Sequence, residues 1–225
     1  MNHRAFKTAV NEQFARIAKA IANPHRLEMI DLLAQGERSV DDIARETDLT
    51  IANASQHLAA LREAHLVTTR KEGLYVYYRL SDPTIYQLLQ VIREIAEHQL
   101  AEVDRIVDTY LHNREALEPI KSHELAARLT EPDLVILDVR PTQEYRQGHI
   151  AGAQSIPVDE LAQRISELAP QREIVAYCRG SYCIFADEAV EILKSEGYQV
   201  RRMQEGYPDW LLAGLPTETS SPASE

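Results

Sequence analysis

Cysteine is scarce in this chain. Its 225 residues contain two, Cys178 and Cys183, and both fall within one eight-residue stretch, Ala176 to Cys183. Two thiols cannot staple a chain of this length into a disulfide scaffold, and in a reducing compartment they read as reactive or metal-binding groups. No apolar run approaches the roughly 18 residues that span a bilayer. No basic-plus-apolar segment follows Met1 either, so the sequence predicts a cytoplasmic protein that does not engage the membrane. Positive charge is also short, with 24 Lys and Arg against 35 Asp and Glu, net −11. That balance argues against nucleic acid as a partner, but the deficit is uneven. Residues 1–112 carry 13 Lys or Arg against 16 Asp or Glu, and a near-neutral segment can still present a local basic surface to phosphates. Hydrophobic content of 44% suffices for ordinary cores, and the length fits one large domain or two small ones.

What is present in the first half is helical. Val10, Phe14, Ile17 and Ile21 recur at spacings of three and four. Asn23-Pro24 reads as a cap and first helical residue opening a helix through Leu27, Ile30 and Leu33, which Gly36 ends. Ser39 caps a third helix and Thr50 a fourth, with Ile51, Ala54, Leu58 and Leu61 expected to face inward. Two short helices joined by a tight turn are a helix-turn-helix candidate. The fourth would turn Asn53, Ser55, Gln56 and His57 outward near its amino end, where such helices meet base edges. Thr68 to Leu80 alternates as two aromatic-rich strands around Glu72-Gly73. That is a hairpin wing, with Arg70 and Lys71 at its tip for phosphates or the minor groove. A single long helix is expected from Asp82 to about His112, its stripe running Leu88, Val91, Ile92, Ile95, Leu100, Val103, Ile106 and Val107.

In the second half strands alternate with helices, which implies a parallel α/β sheet. Ser122 is expected to cap a helix, followed by strands at Leu134 to Val139 and Gln154 to Val158 and a helix through Leu161, Ile165 and Leu168. Glu173 to Tyr177 is a strand and Gln199 to Met203 another. Cys178 therefore sits at a strand-to-helix corner, where ligands collect and helix N–H groups lower a thiol's pKa.

Both halves resemble known families. ANASQHLAALREAHLV and the hairpin after it look like the recognition helix and wing of ArsR-type winged-helix repressors, a resemblance covering roughly Phe14 to Leu111. His65 stands where that family usually has glycine, which asks a histidine to adopt a left-handed conformation. The resemblance implies operator DNA as partner and a homodimer paired through the first and last helices. The metal-sensing patterns of that family are missing: Glu37 to Glu46 has no thiol, and His98 and His112 are too far apart. No metal and no cofactor are implied. CRGSYC (Cys178 to Cys183) looks like the six-residue active-site loop of rhodanese-type sulfurtransferases, whose leading cysteine carries sulfur as a persulfide. ILDVR (Ile136 to Arg140), EYRQGHIAGAQSIP (Glu144 to Pro157) and GYQVRRMQEGYPDW (Gly197 to Trp210) resemble that family's other signatures, in order.

The resemblance implies that Cys178 attacks the outer sulfur of thiosulfate or a small persulfide. Arg179, Gly180, Ser181 and Tyr182 complete the loop, with Arg179 drawing in the anionic donor, and Asp138 and Arg140 brace it. Cys183 is a candidate resolving thiol, or else a small apolar side chain packed under the next helix. Ile184 occupies the position that an arginine holds in the related phosphatases and arsenate reductases. Taken together the sequence predicts two domains. The first, 1–112, is mainly α, a winged helix-turn-helix with a β-hairpin wing for DNA binding and dimerisation. A linker at 113–122 leads to an α/β rhodanese-like domain with a parallel sheet at 123–216, and 217–225 form a disordered tail. The function expected is a DNA-binding repressor whose second domain senses or transfers reactive sulfur. The alternative is a sulfurtransferase enzyme whose winged helix serves dimerisation or localisation.

Overall fold

A computed structural model describes residues 2–111 and 119–220. The chain divides into two compact units, one ending at Glu94 and the other beginning at Ile95. Among the described residues no helix is long and apolar enough to cross a membrane.

The first unit opens with α1 (His3–Ile21), α2 (Pro24–Ala34), β1 (Arg38–Ser39), α3 (Val40–Glu46) and α4 (Ile51–Glu63). The expected caps are in place: Asn23, Ser39 and Thr50 accept from the backbone N–H groups of Arg26, Asp42 and Asn53. Each such cap stabilises its helix by about 1 kcal/mol. At the end of α4, His65 is left-handed at φ 59°. Leu66 N–H donates to Leu61 and His65 N–H to Arg62, the paired bonds of a Schellman stop. The wing is β2 (Val67–Glu72) and β3 (Tyr75–Leu80), antiparallel, with β1 on the other side of β3. Its two-residue turn is Gly73-Leu74, one residue later than expected, because Glu72 pairs with Tyr75 and Gly73 supplies φ 58°. Met29, Ile30, Ile43, Leu58, Leu61 and Tyr86 fill the core. Ile51 does not join them: it is the first residue of α4 and 52% exposed.

The expected long helix is two, α5 (Thr84–Gln99) and α6 (Ala101–Tyr110). Leu100 between them is extended, at φ −119° and ψ 96°, and no Pro or Gly marks the break. His112 and most of the expected linker lie outside the described residues.

The second unit continues with α7 (Ser122–Ala126), β4 (Leu134–Asp138), α8 (Thr142–Gln147), β5 (His149–Ile150), β6 (Gln154–Ser155), α9 (Val158–Arg164) and β7 (Glu173–Tyr177). It ends with α10 (Phe185–Ser195), β8 (Val200–Arg202), α11 (Tyr207–Leu212) and β9 (Thr217–Glu218). Four strands form a parallel sheet in the order β6-β4-β7-β8. Three expected boundaries are corrected. Lys121, not Ser122, stands at the cap of α7, and its side chain makes no capping bond. Ile120, placed in the linker, is buried and bridges Met203, so its backbone already belongs to the sheet. Thr217–Glu218, placed in a disordered tail, pairs with His149–Ile150, and ordered chain runs on to Ser220, whose N–H donates to Arg146.

Candidate functional site

Strand period decides where the first thiol goes. Along β7, Ile174 and Ala176 face one apolar layer with Leu137, Val190 and Leu193, while Val175 and Tyr177 face the other with Ile136, Met203 and Trp210. Cys178 continues the first set, so its side chain enters the layer beneath α10 at the carboxyl end of the sheet. It is 1% exposed.

The loop from Cys178 to Ile184 closes over that sulfur. Cys183 N–H donates to the Gly180 carbonyl at 3.1 Å. The Cys178 sulfur lies 3.8 Å from the Gly180 carbonyl oxygen and 3.6 Å from that of Cys183. Burial alone would push the Cys178 thiol up. The hydrogen bond from the Cys183 side chain, the Arg202 charge and the backbone N–H groups of Gly180 and Ala186 outweigh it, and the net direction is down. Cys183 moves the opposite way: its bond to Cys178, then burial, then the neighbouring charge hold its proton. The loop thus pushes its two thiols in opposite directions, and a thiolate formed at Cys178 can attack a sulfane sulfur.

Arg202 from β8 was not among the expected site residues. Its Nη2 donates to the carbonyl oxygens of Gly180 (3.3 Å) and Ser181 (3.2 Å), its Nη1 to that of Gln204 (3.1 Å), and its Nε pairs with Asp187 on α10 at 2.6 Å. The available signal was its place in GYQVRRMQ, within the segment that resembles the closing signature of the rhodanese family. Ser181 reaches Gln204 through its hydroxyl at 3.4 Å, and Tyr182 is half-buried.

Arg179 does not stand ready for an anion. Its Nε and Nη2 donate to one oxygen of buried Glu144, at 2.9 and 2.6 Å, and its guanidinium lies over the Phe185 ring. Asp138 and Arg140 pair with each other at 2.6 Å, both fully buried. Tyr177 donates to Asp138 at 2.6 Å, and Arg140 also holds the Gly148 carbonyl at 2.8 Å and covers the Tyr207 ring at 4.3 Å. Because Tyr207 N–H donates to the Cys178 carbonyl at 3.1 Å, the network reaches the loop through α11 rather than directly. Gly206 permits that approach: a Cβ there would stand 2.3 Å from the Arg179 backbone.

In the first unit, Asn53 and Gln56 on α4 are exposed and Ser55 is half-buried. His57 packs its ring against His25, centroids 5.4 Å apart; burial first, then the charges of Arg26 and His25, lower its pKa. On the wing, Arg70 is ion-paired with Glu37 and Glu72 and lies 4.8 Å over the Tyr77 ring. Lys71 is exposed beside it.

Residues 23–69 match the bacterial regulatory protein arsR family, and residues 121–213 match the rhodanese-like domain family. The HTH-type transcriptional regulator Rv0324 of Mycobacterium tuberculosis is 42% identical over 216 residues, covering 96% of this chain and 95% of that one. The biofilm growth-associated repressor of Agrobacterium fabrum is 35% identical over 95 residues, 42% of this chain and 76% of its own. Among solved structures, the homodimeric winged helix-turn-helix DNA-binding domain of Mb0332 from Mycobacterium bovis is 40% identical, covering 44% of this chain and 91% of that one, with a TM-score of 0.41. The rhodanese-like domain of Alr3790 from Anabaena sp. is 35% identical, covering 48% and 86%, with a TM-score of 0.42.

Proposed function

Since the chain belongs to the ArsR-family HTH-type transcriptional regulators and carries a C-terminal rhodanese-like domain, we propose that it is a homodimeric, operator-binding repressor of the cytoplasm that takes up sulfane sulfur on Cys178 and reads that state out as a change in DNA binding. The donor is thiosulfate or a small persulfide. The Cys178 thiolate attacks its outer sulfur, forming a persulfide and releasing sulfite from thiosulfate or a thiol from a persulfide.

The reading rests on Cys178. A thiol 1% exposed in an apolar layer should be harder to ionise than usual, and the Arg202 charge and loop N–H groups oppose that burial, which supports a site for a sulfur anion. Enclosure favours a regulator over a sulfurtransferase of high turnover, because each transfer must open the loop. On the DNA side, Asn53, Ser55 and Gln56 would meet base edges with His57 beside them, and Lys71 would meet phosphate. Arg70, already paired with two carboxylates, contributes less.

The test uses an operator selected in vitro from random DNA by the reduced full-length protein. Affinity is measured before and after treatment with thiosulfate or glutathione persulfide, for wild type and Cys178→Ser. A shift of about 5- to 150-fold in wild type, absent from Cys178→Ser, is expected. Equal affinity of wild type in both conditions overturns the reading.

A further inference from the structure

We infer that Cys183 is the resolving thiol for a Cys178 persulfide: it closes a Cys178–Cys183 disulfide and expels the acquired sulfur as hydrosulfide. This rests on the persulfide reading above and says where the sulfur goes next.

The loop is already folded for it. The bond from Cys183 N–H to the Gly180 carbonyl turns the chain back on itself, and the Arg202 guanidinium also donates to the carbonyls of Gly180 and Ser181. The Cys178 sulfur consequently lies 3.6 Å from the Cys183 carbonyl oxygen, so the two cysteines meet across the closed loop. Both pack on the same apolar layer. Disulfide closure asks the sulfurs to approach to about 2.0 Å. Enclosure sets the outcome. With Cys178 1% exposed, an external thiol reaches its inner sulfur only when the loop opens, whereas Cys183 belongs to the closed loop itself.

The step balances without a further reactant. The persulfide Cys178–S–S⁻ takes the proton of the Cys183 thiol on its outer sulfur. The Cys183 thiolate then attacks the inner sulfur, Cys178 Sγ, forming the new sulfur–sulfur bond. The old one breaks with its electron pair leaving on the outer atom, as HS⁻. The two cysteines are oxidised to the disulfide and the sulfane sulfur is reduced to sulfide.

The experiment treats reduced full-length wild type, Cys183→Ser and Cys183→Ala with one equivalent of glutathione persulfide. It reads intact mass, released sulfide and tryptic peptides. Trypsin cuts after Arg179, between the two cysteines, so a disulfide joins the peptides Glu173–Arg179 and Gly180–Lys194 in wild type itself, whatever the variants do to folding. The expected result is that linked pair, a wild-type mass lower by two hydrogens and one equivalent of sulfide, while both variants keep the mass of one added sulfur and release none. Wild type that keeps the added sulfur, with unlinked peptides and no sulfide, overturns the resolving role and leaves the persulfide reading standing. If no protein gains sulfur or links its peptides, both fall together.

Discussion

Arg202 Nε lies 2.6 Å from Asp187 Oδ1, while Nη2 of the same guanidinium holds the carbonyl oxygens of Gly180 and Ser181. One buried arginine thus ties β8, α10 and the thiol loop together and lays its charge beside the Cys178 sulfur. Arg202→Met removes all three and strands Asp187, itself 8% exposed. Breaking a buried pair from one side costs about 3–5 kcal/mol, to be read from urea unfolding. Arg202→Met with Asp187→Leu should recover much of that stability, because no charge is left unpaired. It should not recover the low pKa of Cys178, which needs the positive charge. Recovery of both would remove Arg202 from the account of the thiolate.

The two thiols should titrate in opposite directions. Cys178 is depressed below its ordinary 9.0 and Cys183 is raised above it. Iodoacetamide modification of Cys178 should therefore reach half its maximal rate below pH 9.0, with Cys183 unmodified at the same pH. In Cys183→Ala the Cys178 midpoint should rise, since the strongest group holding the charge is gone. The linkage to stability follows. As pH climbs from the lowered Cys178 value toward 9.0, ionisation of the folded thiol adds stability. Above 9.0 the unfolded chain releases the Cys183 proton that the fold retains, and stability declines. A Cys178 midpoint at or above 9.0 in wild type contradicts the arrangement of donors around it.

The reader helix and the wing should separate in their salt dependence. Gln56→Ala is expected to cost about 1–3 kcal/mol on the selected operator and to relax discrimination among sites. Lys71→Ala should weaken all sequences alike and flatten the salt slope. Arg70→Ala should do less than Lys71→Ala, because Glu37 and Glu72 already neutralise Arg70. Fluorescence anisotropy across a salt series checks the three. Equal losses on operator and random DNA for Gln56→Ala would displace α4 as the reader.

What the sequence reveals here is local. Asn23, Ser39 and Thr50 bond to N–H groups a few residues ahead, so their caps can be read from spacing. The direction of Cys178 follows from strand period. Partners far along the chain cannot be read so. Arg202 meets loop atoms 21 and 22 residues away, Arg179 meets Glu144 across 35, and Thr217–Glu218 finds a strand near His149. Ile51 shows the limit of periodicity. Its spacing places it on the inward face of α4, but the first turn extends past the core and leaves it exposed.

The homodimer can be tested on the apolar surface that the first unit leaves uncovered. On α1, Phe6 and Phe14 are 50% and 67% exposed, and on α5 Val91 is 49% exposed. Large apolar side chains on terminal helices have little to gain from water and are suited to covering by a second copy. Phe14→Glu puts a charge on that surface without touching the core, so circular dichroism should be unchanged while sedimentation equilibrium shows a monomer. Two half-sites read by one dimer gain from linkage, and a monomer forfeits it. Operator affinity should fall by about a hundredfold or more, while affinity for a single half-site stays near the wild-type value. A dimer that survives Phe14→Glu and Val91→Glu together would have to be built on some other face.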